Sequence, residues 1–212
     1  MNENIQQIYN AVLTADYSNI KQMTADALNA GVSADAIIKE GVLDGLFALH
    51  EKLYKGTKVF PDTTLFMAYE AVRICLEDTL PLREKKAPIA TVVFGTPADD
   101  THDVGGKWCA LTLMAAGYNV EYLGRDVPCE EFVNKAVEVG AEVIAVSCHQ
   151  TTAYNRINEI KALIAESPIA DKVLFLAGGS VITDLVAEKL GVAYAPHATD
   201  VVTLLNERFG VK

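Results

Sequence analysis

The chain has 212 residues, half of them hydrophobic, and a formal net charge of −10. That length makes one large domain or two small ones, with enough apolar residues for a sizeable core. The charge, with 9 basic against 12 acidic residues up to Pro88 and 9 against 16 from Ile89 on, lacks the basic footprint of a nucleic-acid binder.

No apolar run is long enough to span a bilayer, and Met1-Asn2-Glu3-Asn4 does not open a basic region followed by a hydrophobic one. The expected setting is therefore the cytoplasm, with no membrane partner. Cys75, Cys109, Cys129 and Cys148 fall in separate elements without CxxC spacing, which reads as buried, reduced thiols.

The N-terminal third reads as helical. Ile5, Ile8, Tyr9, Val12 and Leu13 recur at helical spacing, as do Ile20, Met23, Ala27 and Leu28 before a stop at Gly31. Ser33 caps a longer helix carrying Ile37, Ile38, Val42, Leu46, Leu49 and Leu53, which ends near Gly56. A fourth begins after Pro61, presents Leu65, Tyr69, Val72 and Leu76 on one face, and stops before Pro81. Four amphipathic helices with short links predict a small bundle. The apolar stretch from Val59 to Met67 suits core packing; the functional alternative is a lid over a bound ligand. Arg83-Glu84-Lys85-Lys86-Ala87-Pro88 is charged, aperiodic and ends in proline, so it reads as a linker between domains 1–85 and 86–212.

Strands and helices then alternate. The expected strands are 89–94, 119–123, 142–147, 173–177 and a short 192–195; the expected helices are 108–116, 130–139, 152–165, 183–190 and 200–209. This alternation predicts an α/β domain with a doubly wound, flavodoxin-like (Rossmann-like) five-stranded parallel sheet. Strand order 2-1-3-4-5 would put a ligand crevice at the carboxyl ends of strands one and three.

Polar residues and glycines gather at those ends: Asp99-Asp100-Thr101-His102-Asp103 after strand one, Ser147-Cys148-His149-Gln150-Thr151-Thr152 after strand three, Gly178-Gly179-Ser180 after strand four, and Pro196-His197-Ala198-Thr199-Asp200 after strand five. A neutral imidazole is a metal ligand, and a neighbouring carboxylate can fix its tautomer, so Asp100-Thr101-His102 suits a metal ligand with its partner. The same residues suit a helix N-cap equally. Gly178-Gly179 suits either a ligand lying against the backbone or a tight strand-to-helix turn. Three aspartates in the first loop repel a flavin phosphate. Ser147 stands where a receiver domain carries its acceptor aspartate. The dinucleotide GxGxxG and the acyl-transfer nucleophile elbow are both absent.

Asp100-x-His102-x-x-Gly105, then Ser147 in the slot of an SxL motif, then Gly178-Gly179, in this order and fold context, resemble the fingerprint of cobalamin-binding domains. The helical module is similar to the four-helix cap of methionine synthase and of small corrinoid proteins of methyltransferase systems. The resemblance implies that His102 is the lower ligand of the cobalt of cobalamin (methylcobalamin or another corrinoid). It implies further that Asp100 tunes that histidine, and that Asp100, Thr101, Asp103, Gly105, Ser147, His149, Thr151, Gly178, Gly179, Ser180 and Tyr194 line the cofactor and its displaced nucleotide tail. Three departures stand out. His149 replaces the leucine of SxL, Ala153 stands where some members carry a relay hydroxyl, and Gly106-Lys107-Trp108 replaces the usual lysine-asparagine.

By the same resemblance the chain is a methyl carrier, not catalytic alone. It shuttles a methyl group from a substrate-specific methyltransferase to a tetrahydrofolate-type methyltransferase, with a reductive activator protein as further partner. Free-standing carriers of this size resemble those of O-demethylase systems, which makes aromatic methyl ethers the expected donors, with methylamines and methanol open. The alternatives are a cobalamin-dependent sensor, a mutase subunit and a metal-dependent hydrolase built on His102, Asp99 and Asp103.

Overall fold

Apolar residues three and four apart wind the first third of the chain into helices because only that spacing aligns them on one face. The computed structural model describes residues 1–54 and 62–211. In it the chain divides into two compact units, Met1–Ala87 and Pro88–Lys212.

In the first unit, α1 (Glu3–Thr14) starts from Asn2, whose side chain accepts from the Asn4 N–H, and α2 spans Ile20–Asn29. Helix α3 covers 34–54 without a break: Ala34–Ala36 is α-helical, Ile37–Leu43 is wound as a π-helix, and Asp44–Tyr54 is α-helical again. Ser33 caps it by accepting from the Ala36 N–H. The π-segment lies where α3 meets α1. A Cβ on Gly41 would stand 3.0 Å from Ile8, and one on Gly45 3.1 Å from Val12, so both glycines are set by how close the two helices come.

Helix α4 spans Asp62–Thr79 and runs into a 3-10 turn, Leu80–Leu82. Its buried face is Ala68, Ala71, Val72, Cys75 and Leu76, rotated from the expected one, with Leu65 and Tyr69 only half-buried. The expected end of the third helix at Gly56, and Val59, Phe60 and Pro61, lie outside the described residues. Core packing fails for Phe66 and Met67, which are 52% and 39% exposed. The start of the expected linker is tied down: Arg83 Nε and the Glu84 N–H both donate to the Asp35 carboxylate on α3.

In the second unit the elements are β1 (Thr91–Pro97), α5 (Val104–Ala116), β2 (Asn119–Val127), α6 (Cys129–Val139), β3 (Val143–Ser147), α7 (Tyr154–Ala165) after a 3-10 turn at Thr151–Ala153, β4 (Leu174–Gly178), α8 (Asp184–Leu190), β5 (Ala193–Tyr194) and α9 (Ala198–Phe209). All pairs are parallel and the strand order is β2-β1-β3-β4-β5, as the alternation predicts. Helices on both faces bury strands whose inner residues, such as Val93, Ile144 and Ala177, are fully enclosed together with Phe132, Ile157 and Ile160.

Three boundaries differ from expectation in ways that matter for the site. Strand β1 runs on to Pro97, and β2 to Val127, the two extensions paired through register shifts at Gly95. Helix α5 starts at Val104, so Gly105 and Gly106 belong to its first turn. Packing overrides the poor helix propensity of the two glycines: a Cβ on Gly106 would stand 3.2 Å from the Tyr122 hydroxyl. Gly178 is the last residue of β4, not a loop residue.

Candidate functional site

The carboxyl edge of β1 presents His102 on a short loop before α5. Asp100 on that loop is fully buried. Its Oδ1 accepts from the His102 N–H at 3.0 Å and from His102 Nδ1 at 2.8 Å, and its Oδ2 accepts from the N–H groups of His149 at 2.5 Å and Gln150 at 3.1 Å. Burial alone would raise the carboxyl pKa, but the donors from His149, His102 and Gln150 outweigh it and hold Asp100 below its ordinary value. Ionised Asp100 accepts only, so the proton of neutral His102 sits on Nδ1 and the Nε2 lone pair is left uncommitted. The His102 side chain is 58% exposed.

Asp100 therefore engages His102 and the β3 loop, not the start of α5. The residue at the N-cap of that helix is Asp103, and it makes no side-chain cap bond. Thr96, fully buried on β1, donates to the His102 carbonyl at 3.1 Å. The loop is braced through Asp99 by two residues that sequence reading passed over, Asp126 and Arg156. Asp99 and Asp126 both hold left-handed backbone, at φ 69° and 53°, which aspartate tolerates better than most residues. The Asp99 N–H donates to Asp126 Oδ1 at 2.9 Å, the Asp126 N–H donates to the Asp100 carbonyl at 3.0 Å, and Arg156 on α7 pairs with Asp99 Oδ2 at 2.8 Å. No local signal links these positions, because they are 27 and 57 residues apart.

A second histidine stands beside the first, with ring centroids 5.7 Å apart. His149 Nε2 lies 3.0 Å from Ser147 Oγ, and Nδ1 lies 3.0 Å from Ser180 Oγ and accepts from the Ser180 N–H at 3.3 Å. An accepting Nδ1 puts the proton of the neutral ring on Nε2, the opposite tautomer to His102. Burial lowers the pKa of His149, the Asp100 charge opposing and His102 adding to the shift. Ser147 thus neither caps the next helix nor stands open to a ligand. Gly105 touches the same ring: a Cβ there would lie 3.2 Å from His149 Nε2.

Gly178 and Gly179 answer to the protein's own backbone. A Cβ on Gly178 would stand 2.6 Å from the Ala195 carbonyl oxygen, and one on Gly179, whose φ is +105°, 2.1 Å from that of Cys148. This is the close strand-to-helix turn; it sets Ser180 beside His149.

The other expected residues are more loosely placed. Thr101 and Thr151 are exposed, and Asp103 pairs with Lys107 at 2.6 Å. Tyr194 packs against the core beneath the sheet edge. Thr152 turns to the Gln150 side chain, and Ala153 is buried, so neither extends the Asp100 network with a hydroxyl; it ends on backbone N–H groups. A hydrolytic metal centre on His102, Asp99 and Asp103 has no basis here: both aspartates are committed to cations, and no group of three or more His, Cys, Asp or Glu placed to hold a metal occurs among the described residues. What His102 offers is one imidazole, oriented through Nδ1, on a largely exposed side chain. That fits a metal carried in its own macrocycle and needing only an axial ligand, and does not fit a bare ion needing several protein ligands. Among the described residues, no helix is long and apolar enough to cross a membrane, and all four cysteines are buried and free.

Comparison with known proteins bears on that fit. The family model of the B12 binding domain matches residues 90–205. Trimethylamine corrinoid protein 1 of Methanosarcina mazei is 33% identical over 206 residues, covering 95% of this chain and 94% of that one. The dimethylamine corrinoid protein of Methanosarcina barkeri is 28% identical over 209 residues, 97% of each. The methanol:cobalamin methyltransferase complex of Methanosarcina barkeri contains a chain of the same fold, at a TM-score of 0.72 and 22% identity, covering 100% of this chain and 81% of that one. The match along most of the chain and the exposed imidazole agree: the chain belongs to the B12-binding domain family, and a corrinoid is the cofactor it takes.

Proposed function

We propose that this chain is a methyl carrier in which His102 holds the corrinoid's cobalt from its lower side. The observation that carries the reading is the wiring of His102. A buried, ionised carboxylate keeps the proton on Nδ1, orients the ring and strengthens Nε2 as a donor, on a side chain that is more exposed than not. When bound, the corrinoid supplies a metal that accepts a methyl group from one partner protein and yields it to another. The chain's own part is to hold one imidazole in one tautomer and to keep the metal accessible.

The partners of this reading are a substrate-specific methyltransferase, a tetrahydrofolate-type methyltransferase and a reductive activator protein. Relatives named for trimethylamine and dimethylamine support methylamines as the donor class; those relatives give no support to aromatic methyl ethers, the expectation from chain size. Residues 1–85 are proposed as the helical cap domain and residues 86–212 as the corrinoid domain. Exposed Phe66 and Met67 supply an apolar surface suited to a lid.

The test is reconstitution. The loaded protein is mixed with a methyltransferase specific for a methylamine, or with one that cleaves methyl ethers, and the matching donor carries a radiolabelled methyl group. Label retained on the protein is expected with the methylamine enzyme. Retention with the ether enzyme alone would restore the ether expectation, and retention with neither of these nor with a methanol-specific enzyme would overturn the carrier reading.

A further inference from the structure

The proposed ligand, His102, has a neighbour that the resemblance puts along the nucleotide tail and that the protein's own bonds now occupy. His149 fills the gap between the ends of β3 and β4 and the first turn of α5, bonded at both ring nitrogens to Ser147 and Ser180 and lying against Gly105. Its backbone cannot yield: the His149 N–H donates to Asp100, and the preceding Cys148 N–H donates to the Gly178 carbonyl at 2.8 Å. Only rotation of the side chain can vacate the gap.

We propose that His149 is a displaceable plug that makes the site discriminate among corrinoids by their nucleotide tails. The inference rests on the corrinoid reading. A free corrinoid can carry its own nucleotide base on the lower side of cobalt. If His102 takes that position, the base and its ribose phosphate must lie elsewhere along the same edge. The resemblance runs them past Ser147, Gly178, Gly179 and Ser180, and there the two serine hydroxyls and the Ser180 N–H now hold His149, whose ring is 5.7 Å from that of His102. Tail and imidazole therefore compete for the same donors and the same space. A tail that binds must break the ring's bonds to both serines, and a corrinoid without a tail need not disturb them. His149 is thereby a specificity-determining residue that weakens binding of tailed corrinoids and leaves tail-less ones unaffected.

The experiment uses full-length protein prepared without cofactor, titrated with hydroxocobalamin and with aquocobinamide, which has the same corrin ring and no nucleotide tail. Quenching of the single tryptophan, Trp108, reports binding. His149→Ala is expected to bind hydroxocobalamin roughly tenfold more tightly than wild type, the equivalent of releasing two neutral hydrogen bonds, and aquocobinamide unchanged. A gain equal for both corrinoids, or none for hydroxocobalamin, overturns the plug. In the wild-type chain, long-range proton–nitrogen spectra follow the ring without any substitution. The His149 ring resonances should move on adding hydroxocobalamin and stay in place with aquocobinamide. Unmoved resonances on saturation with hydroxocobalamin also overturn it. Failure of both corrinoids to bind wild-type protein is a different result, which sinks the cofactor assignment itself.

Discussion

The two histidines at the carboxyl edge of the sheet are wired in opposite ways. His102 has one nitrogen tied to a buried carboxylate and the other uncommitted, on a largely exposed side chain; His149 has both nitrogens satisfied by serines and is half-buried. Asp100 joins them, accepting from the ring and backbone of one and from the backbone of the other. The comparison teaches that a histidine's residue type does not set its role. What differs is the number of nitrogens left over after the protein's own bonds are counted: one on the His102 ring and none on the His149 ring.

The largest expected effect tests the framework that holds His149. Gly179→Ala would put a Cβ 2.1 Å from the Cys148 carbonyl oxygen at a φ of +105°, a conformation that side chains rarely adopt. Unfolding free energy from urea titration should fall by about 4 kcal/mol or more. A fall under about 1 kcal/mol would mean that the turn is not so close.

Asp100→Asn strikes the group that joins the two histidines. An amide cannot accept all four donors that the carboxylate accepts. Stability should drop by about 3 kcal/mol, the cost of leaving buried donors unmet. Because the folded carboxyl titrates below its ordinary 3.8, its contribution is complete above that value and is lost as pH falls through the lower folded pKa. The variant should therefore lose less stability than wild type on acidification below pH 3.8. Parallel acid limbs would show that Asp100 is not what makes the native site acid-sensitive.

His102→Ala should have the smallest effect on the fold and a clear one on the loaded protein. The side chain is more exposed than not, so thermal unfolding should change by less than about 1 kcal/mol. The visible spectrum of the corrinoid-loaded variant should move to the form lacking a protein lower ligand. An unchanged spectrum would separate the two histidines in the wrong sense and remove His102 from the metal.

The sequence by itself determined the classes of element and their order in the sheet. Alternating apolar runs and amphipathic helices, with crossovers of one hand, leave few parallel arrangements, and 2-1-3-4-5 is the one found. The Asp100-x-His102 spacing already carried the carboxylate–imidazole pair, since a two-residue separation lets a loop fold one onto the other. Tertiary structure alone decided what that pair is attached to. The donors to Asp100 Oδ2 come from 49 and 50 residues away, and Ser180 reaches His149 across 31. Neighbouring strand ends make these bonds, and strand adjacency and register do not show in local periodicity. The reason for Gly178-Gly179 was hidden for the same cause. Whether a missing side chain makes room for a ligand or for the protein's own backbone depends on what lies opposite, and only the folded chain places Cys148 and Ala195 there.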